Sequence, residues 1–369
     1  MIILSVIAVI VVFGSLIFVH ELGHFLFARL FKVRVEKFAI GFGKKLWGTT
    51  KGDTEYRLNL VPLGGYCKIA GEDPVESKGN PDELWSLPPG KRFWVYTGGS
   101  LFNYVFAFLL LVMLFCFGVP KMTNVVGETL AGSPAQRVGI KAGDKIIAIN
   151  NNPTPYWDDV LIQIRKDNTV QSMDVRIMRG KMKVDLKIVP EELEGTDMFK
   201  KKKKILGLGV APSGETILVK TDPLKAVVFA GEHVWFFTKN TYKGLWYMIT
   251  GQMPVKDNVG GPIRIIQILS DSVKYGIVSV ISLMATISMA LAIFNMLPFP
   301  VLDGGHVLFC FIEKIRRKPL SVKTMDVMAN TAWILLLSFV IYVSYFDARR
   351  VVRNIKASNA ETTNLVTRN

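Results

Sequence analysis

Residues 2–30 form an apolar run of membrane-spanning length, broken near its end by Phe18-Val19-His20-Glu21-Leu22-Gly23-His24-Phe25-Leu26. About 20 apolar residues cross a bilayer as a helix, and helix is dictated there because lipid offers no partner for free backbone groups. Ionisable side chains inside such a helix are costly, so they are functional by default. Residues four apart share one helix face, so His20 and His24 can bind one Zn²⁺ while Glu21, flanking that face, can take a proton from a water on the ion. The plainer alternative is a buried His pair that serves only helix packing.

Composition supports a membrane protein with a polar part. Half of the 369 residues are hydrophobic, the mean hydropathy is +0.32, and the length allows roughly two domains of about 150 residues. The net charge of +15 reads as loop and surface charge beside anionic lipid, and no nucleic-acid partner is expected because no nucleic-acid motif accompanies it. Cys67, Cys116 and Cys310 are scattered and lack C-x-x-C spacing, which excludes a disulfide framework or a thiolate metal site and leaves small apolar fillers. No basic residue precedes the first apolar run and no small-residue cleavage site precedes His20, so that segment is expected to stay as a helix.

Four segments are expected to span the membrane: residues 2–30, 101–119, 277–297 and 331–346. The intervening residues 31–100 are rich in Lys and Arg, and within them Glu55 to Ile69 alternates like a strand and breaks at Pro62-Leu63-Gly64-Gly65, predicting a β-hairpin over about 53–70. An edge strand beside the candidate metal site offers unpaired N–H and C=O groups, which makes Leu63, Gly64, Gly65 and Tyr66 candidate substrate-binding residues. A simple surface hairpin is the alternative. Residues 81–96, with Trp85, Phe93 and Trp94 among basic residues, suit the headgroup level. Gly98-Gly99-Ser100 and Asn103 open the second span and read as helix packing.

Residues 120–220 have the pattern of a soluble domain. Short strands are predicted at 125–130, 145–149, 174–178, 184–189 and 206–210, with a short helix capped by Ser133 and started by Pro134, and with Lys200 to Lys204 as a solvated loop. Residues 221–275 follow as amphipathic interfacial helix, where His233 is an interfacial side chain rather than a ligand. Residues 276–347 carry the last two spans and 348–369 a C-terminal tail.

With four crossings, the ends of spans one and three lie on the same side, so His20, His24 and Asp303 fall at similar depth whichever way up the chain sits. The third span ends in Asn295-Met296-Leu297-Pro298-Phe299-Pro300-Val301-Leu302-Asp303-Gly304-Gly305-His306, where two prolines break the helix and Asp303-Gly304-Gly305 turns the chain. Irregular backbone at membrane depth is tolerated where it lines a protected or watery site. Asp303 is therefore the best third ligand and His306 its rival. Asn295 has two readings: a hydrogen bond to substrate or to the tetrahedral intermediate, or one to backbone freed by Pro298. The basic first loop places itself on the cytoplasmic side, hence both termini and residues 119–275 outside. Arg349, Arg350 and Arg353 argue the other way and roughly balance Lys314, Arg316, Arg317, Lys318 and Lys323.

His20-Glu21-x-x-His24 together with Asn295-x-x-Pro298-x-Pro300-x-Leu302-Asp303-Gly304 resembles the site-2 protease family of intramembrane zinc metalloproteases, and within it the bacterial regulator-of-sigma-E group. Ser133-Pro134-Ala135 through Gly139-Ile140-Lys141-Ala142-Gly143-Asp144-Lys145-Ile146 resembles a PDZ domain. The resemblance implies an α-helical polytopic protein of four transmembrane helices with an inserted extracytoplasmic PDZ-like α+β domain and a membrane-associated β-hairpin. It implies a Zn²⁺ enzyme of the bacterial inner membrane that cleaves transmembrane segments of single-pass proteins, such as anti-sigma factors or remnant signal peptides, with the PDZ-like domain as a gate. The competing expectation is a catalytically inactive scaffold whose PDZ-like domain recruits partners; an intact Glu21 argues against it.

Overall fold

The computed structural model describes residues 2–75, 77–166, 171–196 and 202–366. The chain divides into two compact units, one made of residues 1–114 and 226–369 and the other of residues 115–225.

The first unit is mostly helical. Helix α1 (Ile2–Leu30) leads into strands β1 (Val35–Lys51) and β2 (Thr54–Ile69), and α2 (Pro89–Phe117) follows with Pro89 at its start, where a missing N–H costs nothing. The second span thus begins well before residue 101, and the stretch expected at the headgroup level supplies its first turns. Among the described residues four helices are long and apolar enough to cross a membrane: Ile3–Leu30, Pro89–Phe117, Ile277–Asn295 and Val322–Arg353.

Residues 53–70 do not form the expected hairpin. The two-residue turn lies at Gly52-Asp53, where Lys51 pairs with Thr54, and Pro62-Leu63-Gly64-Gly65 lies inside β2. Residues 35–40 are flanked on both sides, Phe38 pairing with Tyr56 on one and with Cys67 on the other, while residues 45–51 pair with 54–59. Pro62 to Gly64 carries the chain from one flank to the other, and Gly64 adopts φ +111°, a backbone shape that side-chain-bearing residues resist. Alternation reveals which residues share a face but not which strand lies next door.

The second unit begins with β3 (Val119–Met122), β4 (Val126–Thr129) and the short helix α3 (Pro134–Arg137). Ser133 Oγ accepts the Gln136 N–H at 3.3 Å and Pro134 opens the helix, as the sequence predicts. Strands β5 (Lys145–Ile149) and β6 (Asn152–Pro153), helix α4 (Trp157–Arg165), and strands β7 (Met173–Arg179) and β8 (Met182–Ile188) follow, the strands forming an antiparallel sheet of order β6-β5-β7-β8. Ile146, Ile149, Trp157, Val160, Val175 and Ile177 fill its core. Strands β9 (Glu191–Thr196) and β10 (Lys202–Gly207) pair antiparallel, so the described part of the lysine run, Lys202 to Lys204, is strand rather than loop; Lys200 and Lys201 lie outside the described residues. The predicted strand at 206–210 is split: β10 ends at Gly207, Gly209 takes φ +76°, and β11 (Val210–Pro212) pairs with β4. Strand β12 (Thr216–Val219) pairs with β3.

The chain then returns to the first unit through α5 (Pro223–Ile249), α6 (Val255–Asn258), α7 (Pro262–Lys274), α8 (Ile277–Asn295), α9 (Asp303–Arg316) and α10 (Val322–Val366). Helix α5 leaves Trp235, Phe236 and Trp246 exposed beside the exposed His233. Asp303 starts a helix instead of turning the chain, the irregular stretch being 296–302. With no Gly or Pro after Val322, α10 runs 45 residues, so the expected tail from 348 is helical as far as Val366.

Candidate metal centre

Helix α1 places His20 and His24 on one face, with ring centroids 4.8 Å apart. Their Nε2 atoms are 3.2 Å apart. Asp303, the first residue of α9, brings Oδ2 to 3.3 Å from His20 Nε2 and 3.5 Å from His24 Nε2. These three donors form the one group among the described residues arranged to hold a metal ion. A tetrahedral ion with bonds of about 2.1 Å holds its ligands about 3.4 Å apart, which matches all three sides of this triangle. Asp303 Oδ2 is buried and makes no hydrogen bond, as expected of a lone pair aimed at a shared point and not at either imidazole.

Close helix crossing makes this approach possible. A Cβ on Gly23 would lie 2.2 Å from the Gly98 carbonyl oxygen, and one on Gly99 would lie 2.4 Å from His24 Nε2 and 2.7 Å from His20 Nδ1. Any side chain at Gly99 would occupy the space of both rings. His24 Nδ1 donates to the Val95 carbonyl at 2.8 Å, which leaves Nε2 as the free lone pair. On the far side, Arg92 is 3% exposed and its Nη2 donates to Glu313 Oε1 at 2.5 Å, tying α2, the helix that carries Val95, to α9, the helix that carries Asp303.

Glu21 lies beside the triad on the wall of a cavity of about 420 Å³ that also takes in His20, His24, Asp303, Tyr66 and Glu72. The segment 66–69 runs along this cavity, and among the described residues β2 pairs with no strand other than β1. A methyl on Gly65 would touch Glu21 Cγ at 3.8 Å. Gly64 instead packs under the Phe42 ring, and the side chain of Leu63 lies outside what is described. A second cavity of about 350 Å³ shares Lys68, Glu72 and His306 with the first and continues to Asp73 and Asp326.

The structure thus gathers His20, Glu21, His24, Asp303, Gly65 and Tyr66. Asn295, at the end of α8, places Nδ2 3.4 Å from His20 Nε2, so it faces the ligand atoms rather than the loop that Pro298 opens. His306 stays out of the triangle: its ring stacks on Tyr96 at 4.8 Å, and burial pushes its imidazole below the ordinary value. Sequence reasoning missed Val95, which acts through its backbone and leaves no signature. Gly99 and Asn103 were visible only as packing residues.

Two imidazoles and a carboxylate around one point, with a glutamate beside them and apolar helices around, form the donor set of a metal-dependent hydrolase set in a membrane. The chain belongs to Peptidase family M50, whose profile matches residues 8–339. It is 33% identical over 348 residues to a Campylobacter jejuni protein that carries the name zinc metalloprotease, covering 94% of this chain and 93% of that protein. It is 29% identical over 431 residues to the regulator of sigma-W protease RasP of Bacillus subtilis, covering 94% of this chain and 99% of the relative.

Proposed function

We propose that the chain is an intramembrane zinc metalloprotease that hydrolyses peptide bonds within transmembrane segments of single-pass proteins, anti-sigma factor-like proteins and remnant signal peptides among them. The observation that carries this reading is the triangle of His20 Nε2, His24 Nε2 and Asp303 Oδ2, with sides of 3.2 to 3.5 Å, at the wall of a polar cavity reached from helices of membrane-spanning length. The name of the Campylobacter jejuni relative supports zinc as the ion.

His20, His24 and Asp303 would hold Zn²⁺, which supplies Lewis-acid polarisation of a carbonyl and brings the pKa of water toward about 7. Glu21 takes the proton of the attacking water and delivers it to the leaving amine. Asn295 directs an amide N–H toward the same space, where the oxygen of a tetrahedral intermediate gathers charge. A peptide bond in a lipid-embedded helix is hydrogen-bonded and dry, so the substrate must be unwound and water admitted. The β2 edge at Gly65 and Tyr66 is read as offering main-chain partners to an extended segment. The second cavity, lined by Lys68, Glu72 and Asp326, gives water a polar approach.

The bilayer is the bacterial inner membrane, with the basic residues 31–100 on the cytoplasmic side and residues 115–225 outside. The latter unit, with its capped α3, antiparallel sheet and α4, is read as PDZ-like and as a filter that excludes substrates with bulky external domains. Helix α5, with exposed aromatics and Lys225, Lys239 and Lys243, is read as interfacial.

Cleavage of a single-pass reporter in proteoliposomes tests the mechanism. Wild type should cut within the reporter's membrane segment, and Glu21→Gln should lose at least about 100-fold in rate with zinc retained. Equal rates from both would remove Glu21 as the base, and no cleavage by zinc-loaded wild type would favour a non-catalytic scaffold.

A further inference from the structure

Asn103 belongs to α2 and is completely buried, yet neither the metal triangle nor the cavity beside Glu21 includes it. Its backbone carbonyl accepts the Ser288 hydroxyl at 2.8 Å, which fixes α2 against α8 at this level. Its side-chain amide faces the back of the His20 imidazole, with Nδ2 3.4 Å from Nδ1. Its other branch, Oδ1, is buried without a partner.

An amide nitrogen opposite Nδ1 conflicts with what Nε2 must do. A neutral imidazole carries one proton. If Nδ1 accepts from the amide, that proton sits on Nε2 and blocks the lone pair aimed at Asp303 and His24. If Nδ1 carries the proton, two donors face each other and Oδ1 is left orphaned as well. Half a rotation about the Cβ–Cγ bond exchanges the two amide branches with no change of shape, and it turns the donor–donor conflict into a hydrogen bond. His24 already has the matching arrangement, its Nδ1 donating to the Val95 carbonyl.

We propose that Asn103 is the positioning residue of the metal site: its Oδ1 accepts the Nδ1–H of His20 and so commits Nε2 of that ring to the ion. Each histidine is then oriented by α2, His24 by a backbone carbonyl and His20 by a side-chain carbonyl eight residues further along. The inference rests on the reading of His20, His24 and Asp303 as zinc ligands.

The test uses the full chain in detergent micelles and measures zinc affinity by competition with a chromophoric chelator, alongside thermal unfolding of the zinc-free protein. Asn103→Leu, which keeps the volume and removes the acceptor, should weaken zinc binding by about 10- to 100-fold. Asn103→Asp, which keeps an acceptor, should stay within about threefold of wild type. Ser288→Ala loosens the same helix crossing without touching the ring, so its affinity should also remain near wild type. The protein has four histidines, so ¹⁵N-histidine spectra of the zinc-loaded forms should show one imidazole N–H losing its hydrogen-bonded shift in Asn103→Leu and keeping it in Asn103→Asp. If leucine prevents folding, Asn103→Ala takes its place. Wild-type affinity in Asn103→Leu, or equal losses in the Leu and Asp variants, would overturn the proposal. His24→Ala separates this from the ligand reading: unchanged affinity there overturns both, whereas lost affinity there with unchanged affinity in Asn103→Leu overturns only the role of Asn103.

Discussion

In the unit of residues 115–225 the fully buried residues are ones such as Ile146, Ile149, Val160 and Ile177, whereas where α1, α2 and α8 meet Gly23, Gly99, Ser100, Asn103 and Ser288 are buried beside apolar residues such as Leu16, Met289 and Ile293. Water expels the first set and so drives that core together. Lipid is as apolar as leucine, so it gives the second set no such push, and helices there associate through close backbone contact and buried polar bonds. A residue that looks like a gap in a soluble core is therefore the element of precision in the membrane part. Gly99 has no side chain because two imidazoles occupy that space.

The largest effect that separates the two rules is expected at Gly99. Gly99→Val would put carbon atoms where His24 Nε2 and His20 Nδ1 lie, since a Cβ alone would come within 2.4 Å of the former. Zinc binding and reporter cleavage should both fall below detection, with amide protection across residues 115–225 at wild-type level. Retained zinc would mean that the crossing of α1 and α2 can yield, and the glycine would lose its role. Ile146→Ala reverses the comparison. Ile146 is fully buried in the other unit, so its truncation should cost about 3 kcal/mol of local stability, read by hydrogen exchange in the whole chain, with zinc affinity unchanged.

The same contrast explains what the sequence discloses. His20, His24 and Asp303 were legible because ionisable groups stand out in apolar context and because alternate crossing puts the ends of spans one and three at one depth. In residues 115–225, β4, β5, β7 and β8 were legible from alternation and α3 from its Ser133-Pro134 start, whereas the lysine run that forms the start of β10 reads as a loop by charge alone. The sheet of residues 35–69 was not, because Pro62 to Gly64 reads as a hairpin turn whether the chain folds back beside itself or crosses to the far flank of residues 35–40. Val95 was invisible because a backbone carbonyl has no side-chain signature. Asn103 was visible only as a packing residue, because an Asn beside a Gly-Gly pair suits a close helix crossing, and its 3.4 Å approach to His20 emerges only from the fold.

The smallest expected effect concerns Asp144, the one buried charge among the described residues of 115–225, and it tests whether polar burial there follows the membrane rule or its own. Asp144 is 2% exposed, and Arg179 clasps it from two sides, Nε to Oδ1 at 2.8 Å and Nη2 to Oδ2 at 2.7 Å, while the Lys141 N–H donates to Oδ2 at 2.9 Å. The Arg179 guanidinium holds the Asp144 carboxyl below its usual value. A depressed folded value means that the carboxylate's contribution is complete above the unfolded value of about 4 and is lost as pH falls through the folded one. Asp144→Asn should therefore cost about 2 kcal/mol at neutral pH. The gap from wild type should narrow below about pH 4, where wild type loses the same charge. Hydrogen exchange of residues 115–225 at a series of pH values reads this directly. A gap that stays constant from pH 7 to 3 would show that the charge of Asp144 contributes nothing to stability and that its shape and hydrogen bonds account for the whole loss.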